Sequence, residues 1–320
     1  MVLKDLNNLK VDGKHDVNVL VTKVTVETAR SGKEYVTLHL MDQTGETKAK
    51  YWEKDIIDDV KPGTVISATI DAKEYNGSMG FVVKGYKVLK DEKPENYKNT
   101  FIPDAEVMKN YLREKMTEIY RERPDLKTVL MRLFAETESD NFFNWAAAIG
   151  MHHAEEHGLL YHTVSMLKHA EKLADSAKET FGVDVDRHLV ATAIILHDYF
   201  KIKEYRMNDA GRGEVTKFVI LGHIQMASQF IGYLYYDKTI SEELYLQLSH
   251  AVSAHHGELE FGSPVVPATI EAFIVHMADM FDSRMFMYVD EMRKLDEGTM
   301  SQNRNFGLGT NVYRPVKTQK

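Results

Sequence analysis

Residues 14–90 contain five short runs in which β-branched or aromatic residues partly alternate with polar residues. Alternation with a period of two is typical of strands that bury one face and expose the other. Clusters of Gly, Pro, Asn and Asp separate the runs, as expected for turns. The pattern predicts five strands, over residues 17–27, 34–41, 47–52, 65–71 and 81–89.

Beyond residue 102 the apolar positions recur at intervals of three to four residues, which is the period of an amphipathic helix. Leu160, Val164 and Leu167 show this spacing. Further helices are predicted over residues 186–199, 222–236, 241–255 and 266–292. Strands followed by helices predict a multidomain α and β protein, with an N-terminal five-stranded OB-like β-barrel and then an all-α domain.

A polar segment that contains proline follows the last predicted strand, and it marks the boundary between the two halves. The apolar periodicity of the helical half stops after Gly298. The chain is therefore predicted to contain a barrel domain over residues 1–92, a linker over 93–102, a helical domain over 103–298 and an irregular C-terminal tail over 299–320.

The formal net charge of −8 is distributed unevenly between the two halves. Residues 1–98 carry 16 Lys and Arg against 16 Asp and Glu, so the whole deficit, 24 basic against 32 acidic residues, lies in residues 99–320. Non-specific affinity for nucleic acid usually requires a basic protein. Bound metal ions reverse the local field, however, so an acidic catalytic domain remains compatible with a polyanionic substrate.

The chain contains no cysteine, which excludes disulfides, thiolate metal sites and cysteine nucleophiles. This composition suits a reducing compartment. The N-terminal residues lack the apolar core of a secretory signal, and no apolar run approaches the roughly 18 residues needed to span a membrane. We therefore expect a cytoplasmic protein that does not associate with membranes.

All but two of the 14 histidines fall in the helical half, where several combine with aspartates. His197 and Asp198 end an apolar run, which places an imidazole and a carboxylate at the edge of a buried core. The whole set in chain order is His162, His197, Asp198, His223, His255, His256 and Asp279. A single buried histidine is more often a core residue than a ligand, but this ordered set indicates a metal site. Imidazoles bind several transition metals, one carboxylate can bridge two ions, and two ions activate a water and clamp a phosphate.

The same residues resemble the signature of the HD phosphohydrolase superfamily and of its dinuclear members. Six segments are also similar to the YhaM-type 3′-to-5′ exoribonucleases, which place an OB-fold before an HD domain. These segments are 151–153, 158–165, 195–198, 221–224, 255–257 and 261–264. The similarity covers nearly the whole chain, including the strand-rich half.

The resemblance implies two divalent metal ions and assigns their ligands. One ion would be held by His162, His197, Asp198 and Asp279, and the second by His223, His255 and His256, with Asp198 as the bridge. Asp198 and Lys201 would be catalytic, because the family lysine at this position approaches the scissile phosphate as a point charge. Mixed His and Asp ligation disfavours magnesium, so Mn²⁺ is the first choice and iron, cobalt and nickel remain open.

The chain departs from the family pattern at three places. Phe200 replaces the usual glycine between His197-Asp198 and Lys201, residues 214–220 differ from the usual sequence, and Met280 replaces a frequent asparagine after Asp279. None of these changes removes a metal ligand. They affect the expected position of Lys201 and the substrate pocket.

The resemblance implies single-stranded RNA as the partner, with single-stranded DNA as an alternative, and we favour a homo-oligomer. OB-folds stack bases on aromatic side chains and place basic residues near the backbone. The candidate contacts are Lys33, Tyr35, Lys50 and Trp52 in the barrel, and His153 in the helical half.

Three functions are compatible with these residues. The first is a 3′-to-5′ exonuclease that releases nucleoside 5′-monophosphates. The second is an HD-type hydrolase of nucleotides or cyclic dinucleotides, which would need a closed pocket. The third is a strand-binding protein whose helical domain is only a scaffold, and the complete ligand set argues against it.

Overall fold

The computed structural model describes most of the chain, including every predicted metal ligand. The described residues are 6, 9, 13–29, 31–75, 78–97, 104–136, 139–147, 157–207 and 213–316. His153 lies outside the described residues.

The N-terminal half forms a closed barrel of five strands in the order β1-β2-β3-β5-β4. The strands are β1 (Gly13–Thr28), β2 (Glu34–Asp42), β3 (Gly45–Tyr51), β4 (Val65–Tyr75) and β5 (Ser78–Val88). The long β1 pairs antiparallel with both β2 and β4, and a parallel pairing of β3 with β5 closes the barrel. The predicted five-stranded OB-like barrel is confirmed.

Side-chain alternation along β2 explains how the barrel forms its core. Val36, Leu38 and Leu40 are completely buried and belong to one apolar cluster inside the barrel. β1 begins at Gly13, earlier than its apolar pattern predicts, because the polar residues after Gly13 still pair through their backbones with β4. Ladder hydrogen bonds need no apolar side chain, so alternation alone underestimates a strand's length.

The rest of the chain is mainly helical, as predicted. After the short α1 (Ile56–Asp59) in the barrel, the helices are α2 (Ala105–Glu122), α3 (Pro124–Glu136), α4 (Ser139–Asn144), α5 (Gly158–Phe181), α6 (Arg187–His197), α7 (Lys201–Glu204), α8 (His223–Tyr236), α9 (Glu242–Ser253) and α10 (Ile270–Arg293). Two helices stop earlier than their patterns predict. α6 ends at His197 and α9 at Ser253, so the chemically important residues that follow lie at helix ends.

The described part of the helical half contains one small antiparallel sheet that the sequence did not predict, and the C-terminal segment contains another. β6 (Tyr205–Met207) pairs with β7 (Gly213–Val215), and β8 (Thr299–Met300) pairs with β9 (Tyr313–Arg314). Strands of two or three residues are too short to show alternation, which is why the sequence does not reveal them.

The C-terminal segment 299–320, predicted as irregular, is therefore partly ordered. Ser301 and Val312 are buried, and the backbone N–H of Ser301 donates to the carbonyl of Val312 at 2.8 Å. Arg314 also donates to the carbonyl of Leu295 at 2.7 Å. Backbone and polar contacts order this segment, and such contacts leave no apolar periodicity in the sequence.

α6 is the central helix of the helical half. Every residue from Leu189 to His197 is buried, and the helix packs against α5, α9 and α10. A helix that is apolar all round belongs in a core. Its C-terminal end therefore delivers His197 and Asp198 to the interior of the helical half. Among the described residues, no helix is long and apolar enough to cross a membrane.

Replacing Leu38 with alanine should destabilise the barrel. The side chain is completely buried, and such truncations cost about 2–5 kcal/mol. Val26, on the neighbouring strand, is 49% exposed and provides the control, because Val26→Ala should change stability by only about 0.5 kcal/mol. Native-state hydrogen exchange of the β2 amides, measured in the full chain at increasing urea, reports both values. Equal effects of the two substitutions would contradict the assigned core.

Candidate metal centre

The seven predicted ligands converge at one place although they come from distant parts of the chain. α5 supplies His162, the end of α6 supplies His197 and Asp198, and the start of α8 supplies His223. The turn after α9 and the middle of α10 complete the set with His255, His256 and Asp279.

Asp198 lies between two groups of these ligands, and each of its oxygens faces a different group. Oδ2 lies 3.6 Å from Nε2 of His162 and 3.3 Å from Nε2 of His197. Oδ1 lies 3.2 Å from Nε2 of His223 and 3.9 Å from Nε2 of His255. A carboxylate placed in this way has the geometry required to bridge two metal ions.

The two groups each satisfy the spacing that a metal ion needs. The ligand atoms of His162, His197 and Asp279 lie within 4.8 Å of one another, and so do those of His223, His255 and His256. His162 Nε2 is 3.4 Å from Asp279 Oδ1. His and Asp donors of this kind suit first-row transition metals.

Backbone carbonyls orient two of the rings. Nδ1 of His197 lies 2.6 Å from the carbonyl of Ile194, and Nδ1 of His255 lies 2.7 Å from the carbonyl of Val252. Because a carbonyl only accepts, each Nδ1 must carry the proton. The Nε2 lone pair of both rings is therefore available to a metal ion.

Four polar atoms of the site are buried without a hydrogen-bond partner in the described part of the chain. They are Asp198 Oδ1, His223 Nε2, His255 Nε2 and His256 Nδ1. A buried polar atom without a partner is costly, and most such atoms in proteins find one. Divalent metal ions would satisfy these atoms, so the residues present fit a dinuclear centre.

The protonation states of Asp198, His255 and His256 also suit metal binding, which requires ionised carboxylates and neutral imidazoles. Burial opposes ionisation of Asp198, but the positive charge of Lys201 holds the pKa of its carboxyl well below its usual value. Burial lowers the pKa of both His255 and His256. His162 differs: burial disfavours its charged form, but hydrogen bonds to two carboxylates raise its pKa to about 10. A metal ion at His162 would therefore have to displace a proton.

Lys201 reaches the centre despite the bulky residue before it. Its Nζ lies 2.6 Å from Asp198 Oδ2. The ring of Phe200 packs at 5.7 Å from Tyr199 and at 5.9 Å from Phe230, measured between ring centroids, and it belongs to the main apolar core. The core accommodates Phe200, so its presence does not remove Lys201 from the site.

The divergent segment 214–220 lies just before His223. It contributes β7 and a 3₁₀ helix over Lys217–Ile220, and its apolar side chains are largely exposed, Ile220 most of all at 86%. The side chain of Thr216 begins the 3₁₀ helix by accepting from Phe218 N–H. The departure from the family pattern thus changes a surface next to the centre and leaves the ligands in place.

Sequence reasoning missed two carboxylates that contact the ligand histidines. Glu204 Oε1 accepts from the backbone N–H of His223 and lies 3.2 Å from its ring Nδ1, and Asp282 Oδ2 lies 2.7 Å from Nδ1 of His162. Asp282 is three residues after Asp279 on α10, and this helical spacing was a usable signal. Glu204 gave no signal, because nothing in its local sequence connects it with His223.

The predicted barrel contacts form one cluster at the ends of β2 and β3. The Tyr35 and Trp52 ring centroids are 5.2 Å apart, Lys50 Nζ lies 4.9 Å from the Tyr35 ring, and Lys33 Nζ lies 5.6 Å from the Trp52 ring. Tyr35 is only 8% exposed, and its hydroxyl donates to Glu27 at 2.6 Å. Of the two aromatic rings, Trp52 is the more accessible.

The chain is similar to several known proteins. The family model described as HD domain matches residues 159–284. The "3'-5' exoribonuclease YhaM" of Oceanobacillus iheyensis is 32% identical over 305 residues, covering 93% of this chain and 92% of that protein. The protein of the same name from Bacillus licheniformis is 30% identical and covers 94% of this chain and 95% of its own length. A solved OB-fold domain of replication protein A from Methanococcus maripaludis is 16% identical, covering 28% of this chain and 98% of that domain, with a TM-score of 0.24.

An OB-like barrel followed by an HD domain defines a phosphohydrolase with an appended β-barrel domain. More narrowly, the chain belongs to the YhaM 3′-to-5′ exoribonuclease family, since it is 32% identical to one member over almost the full length of both. The protein is therefore an enzyme, which contradicts the hypothesis of a non-catalytic scaffold.

Gly257, directly after His255-His256, should tolerate no side chain. Its φ is +78°, and a Cβ there would lie 2.0 Å from the ring of His276, whose Nδ1 lies 2.9 Å from the carbonyl of His255. Gly182 has a similar φ of +69° with nothing within 4 Å, so Gly182→Ala measures the backbone cost alone. We expect Gly257→Ala to cost about 1–3 kcal/mol more in urea unfolding, because overpacking adds to the backbone strain. Equal costs would show that His276 moves aside freely.

Proposed function

We propose that this protein is a metal-dependent exoribonuclease that degrades single-stranded RNA from its 3′ end to nucleoside 5′-monophosphates with two divalent metal ions. The observation that supports this most directly is the position of Asp198, whose two carboxylate oxygens face two separate histidine groups. Family membership supports the exoribonuclease activity, and the ligand arrangement supports the two-metal mechanism.

Two sets of residues would hold the ions, with Asp198 common to both. One set is His162, His197 and Asp279, and the other is His223, His255 and His256. When bound, the ions supply Lewis acids that activate a water for attack on phosphorus and neutralise charge on the phosphate. Mn²⁺ is the proposed metal, because it accepts both imidazole and carboxylate donors.

Lys201 would act on the substrate phosphate. Its ammonium group is buried at the centre and is held by Asp198. A fixed positive charge in a site from which water is largely excluded stabilises negative charge that develops on the phosphate. Hydrolysis then breaks the bond between phosphorus and the 3′ oxygen of the preceding nucleotide, and a nucleoside 5′-monophosphate leaves.

The barrel would hold the strand upstream of the reacting end. The accessible Trp52 ring would stack on a base, while Lys33 and Lys50 would neutralise phosphates. Tyr35 would pack against the Trp52 ring and hold it in place, because the Tyr35 ring is itself mostly buried. DNA can stack on the same surface, so single-stranded DNA is a second proposed substrate.

The test is product analysis with a 5′-labelled single-stranded RNA, purified protein and Mn²⁺. We expect a ladder that shortens from the 3′ end and disappears with EDTA. Asp198→Ala should lower the rate to below about one-hundredth, since even changes outside the ligand shell cost about 10–100-fold. Asp184→Ala, which removes an exposed carboxylate, is the control and should cleave normally.

The same assay distinguishes the alternative activity. If the preparation hydrolysed small nucleotides or cyclic dinucleotides but left the RNA intact, the protein would be an HD-type nucleotide hydrolase and not an exonuclease. Cleavage that continues unchanged in the Asp198→Ala variant would exclude the proposed centre.

Trp52→Ala should weaken binding of a single-stranded RNA to the full chain. One lost base–aromatic stack is worth about 1–3 kcal/mol, so the Kd should rise about 5–150-fold. Lys50→Ala should reduce the slope of log K against log salt concentration by about one, which corresponds to the loss of one phosphate contact. Lys87→Ala, which removes the same charge from β5, should leave this slope unchanged. Fluorescence anisotropy at several salt concentrations measures both effects. If both lysine variants showed the same salt dependence, the RNA would bind at another surface of the protein.

A further inference from the structure

We propose that Glu204 and Asp282 each control one metal position, so that the two positions of the centre can be weakened separately. Neither residue belongs to the proposed ligand set, and both act as positioning residues through a histidine. The inference rests on the proposed dinuclear centre. Beyond that centre, Glu204 sets the metal affinity of one half and Asp282 sets the metal affinity of the other.

Glu204 is a buried carboxylate, 3% exposed, at the end of α7. Its Oε1 accepts a short hydrogen bond from the backbone N–H of His223 and lies 3.2 Å from the ring Nδ1 of the same residue. The carboxylate thus fixes both the first turn of α8 and the histidine ring that begins it. Nε2 of His223 then points to Asp198 Oδ1, 3.2 Å away.

The backbone around Glu204 is held from the neighbouring segment. Its carbonyl accepts from the N–H of Thr216 at 2.7 Å, and the Thr216 hydroxyl donates to the carbonyl of Lys203. The indole N–H of Trp145 donates to the carbonyl of Tyr205 at 2.6 Å. These contacts fix the carboxylate in position before any metal ion arrives.

Asp282 occupies the equivalent place in the other half. It is 5% exposed, and its Oδ2 lies 2.7 Å from Nδ1 of His162. Asp279, one turn earlier on α10, faces the opposite nitrogen of the same ring at 3.4 Å. α10 therefore supplies both the proposed ligand Asp279 and Asp282, which orients the ring of the proposed ligand His162.

The two halves of the centre share this plan. Each contains one histidine whose Nδ1 faces a carboxylate and one whose Nδ1 faces a helix carbonyl. The carboxylate pairs are His223 with Glu204 and His162 with Asp282, and the carbonyl pairs are His255 with Val252 and His197 with Ile194. A carboxylate behind a ligand histidine makes the ring more basic and fixes its tautomer, and loss of such a partner typically costs about 10–100-fold in metal affinity.

The test is Mn²⁺ binding to the full chain, measured by isothermal titration calorimetry and by metal content after dialysis. We expect two ions per chain in the unmodified protein. Glu204→Leu should weaken the binding of one ion about 10–100-fold and leave the affinity for the other unchanged. Asp282→Leu should weaken the binding of the other ion by a similar factor. The double variant should weaken both ions. Weakening of only one ion in the double variant would overturn the assignment to separate positions.

Combination with a ligand variant identifies the position. In a His223→Ala background, Glu204→Leu should cause no further loss, whereas in a His162→Ala background it should leave no tightly bound ion. Equal weakening of both ions by Glu204→Leu alone would contradict the proposal.

Glu204→Gln and Asp282→Asn provide the matched conservative variants. An amide oxygen can still accept from the histidine ring, so these proteins should fold normally by circular dichroism and lose only part of the affinity. They carry the test if a leucine variant fails to fold, and unchanged Mn²⁺ affinity in both would overturn the proposal. Two bound ions without RNA cleavage would refute the proposed function alone. Cleavage of RNA together with normal metal binding in all four variants would refute this inference alone.

Discussion

The burial of the Asp198 carboxylate is the constraint on which the helical half depends. The residue is 2% exposed and follows a helix that is buried from Leu189 to His197. A charge in such a place is unfavourable unless other groups compensate it. Lys201, three residues further along the chain, provides part of the compensation, with its Nζ 2.6 Å from Asp198 Oδ2. The imidazoles of His162, His223 and His255, which lie around the carboxylate, come from α5, α8 and the turn after α9, and these segments meet at the C-terminal end of α6.

Early helix termination makes this meeting possible. α6 ends at His197 and α9 ends at Ser253, so His197 is the last helical residue and His255 lies in the turn after α9. The carbonyls of the last helical turn then take the ring N–H groups of His197 and His255. Helix ends always leave such carbonyls without an intrahelical partner. The centre uses these otherwise unpaired carbonyls to set the orientation of its own ligands.

The parts of the structure that depend on residue type or on long periodic runs could be predicted from the sequence. The barrel strands, the long helices and the converging His and Asp residues belong to this group. Glu204 could not be predicted, because its role depends on a contact with a segment 19 residues away. The pairing of Ser301 with Val312 and the three-residue strands were missed for a similar reason, since backbone hydrogen bonds carry no side-chain pattern. The mostly buried state of Tyr35 reflects packing against Trp52, which alternation along one strand does not reveal.

The contacts around Tyr35 have a thermodynamic consequence for the barrel. Its hydroxyl is held by Glu27, its ring is flanked by Trp52, and Lys50 lies over its face. Side chains that are already ordered lose little rotamer entropy when a partner arrives, whereas a mobile side chain costs about 0.5–1.5 kcal/mol to immobilise. A partner that docks on this surface keeps more of its contact energy as affinity.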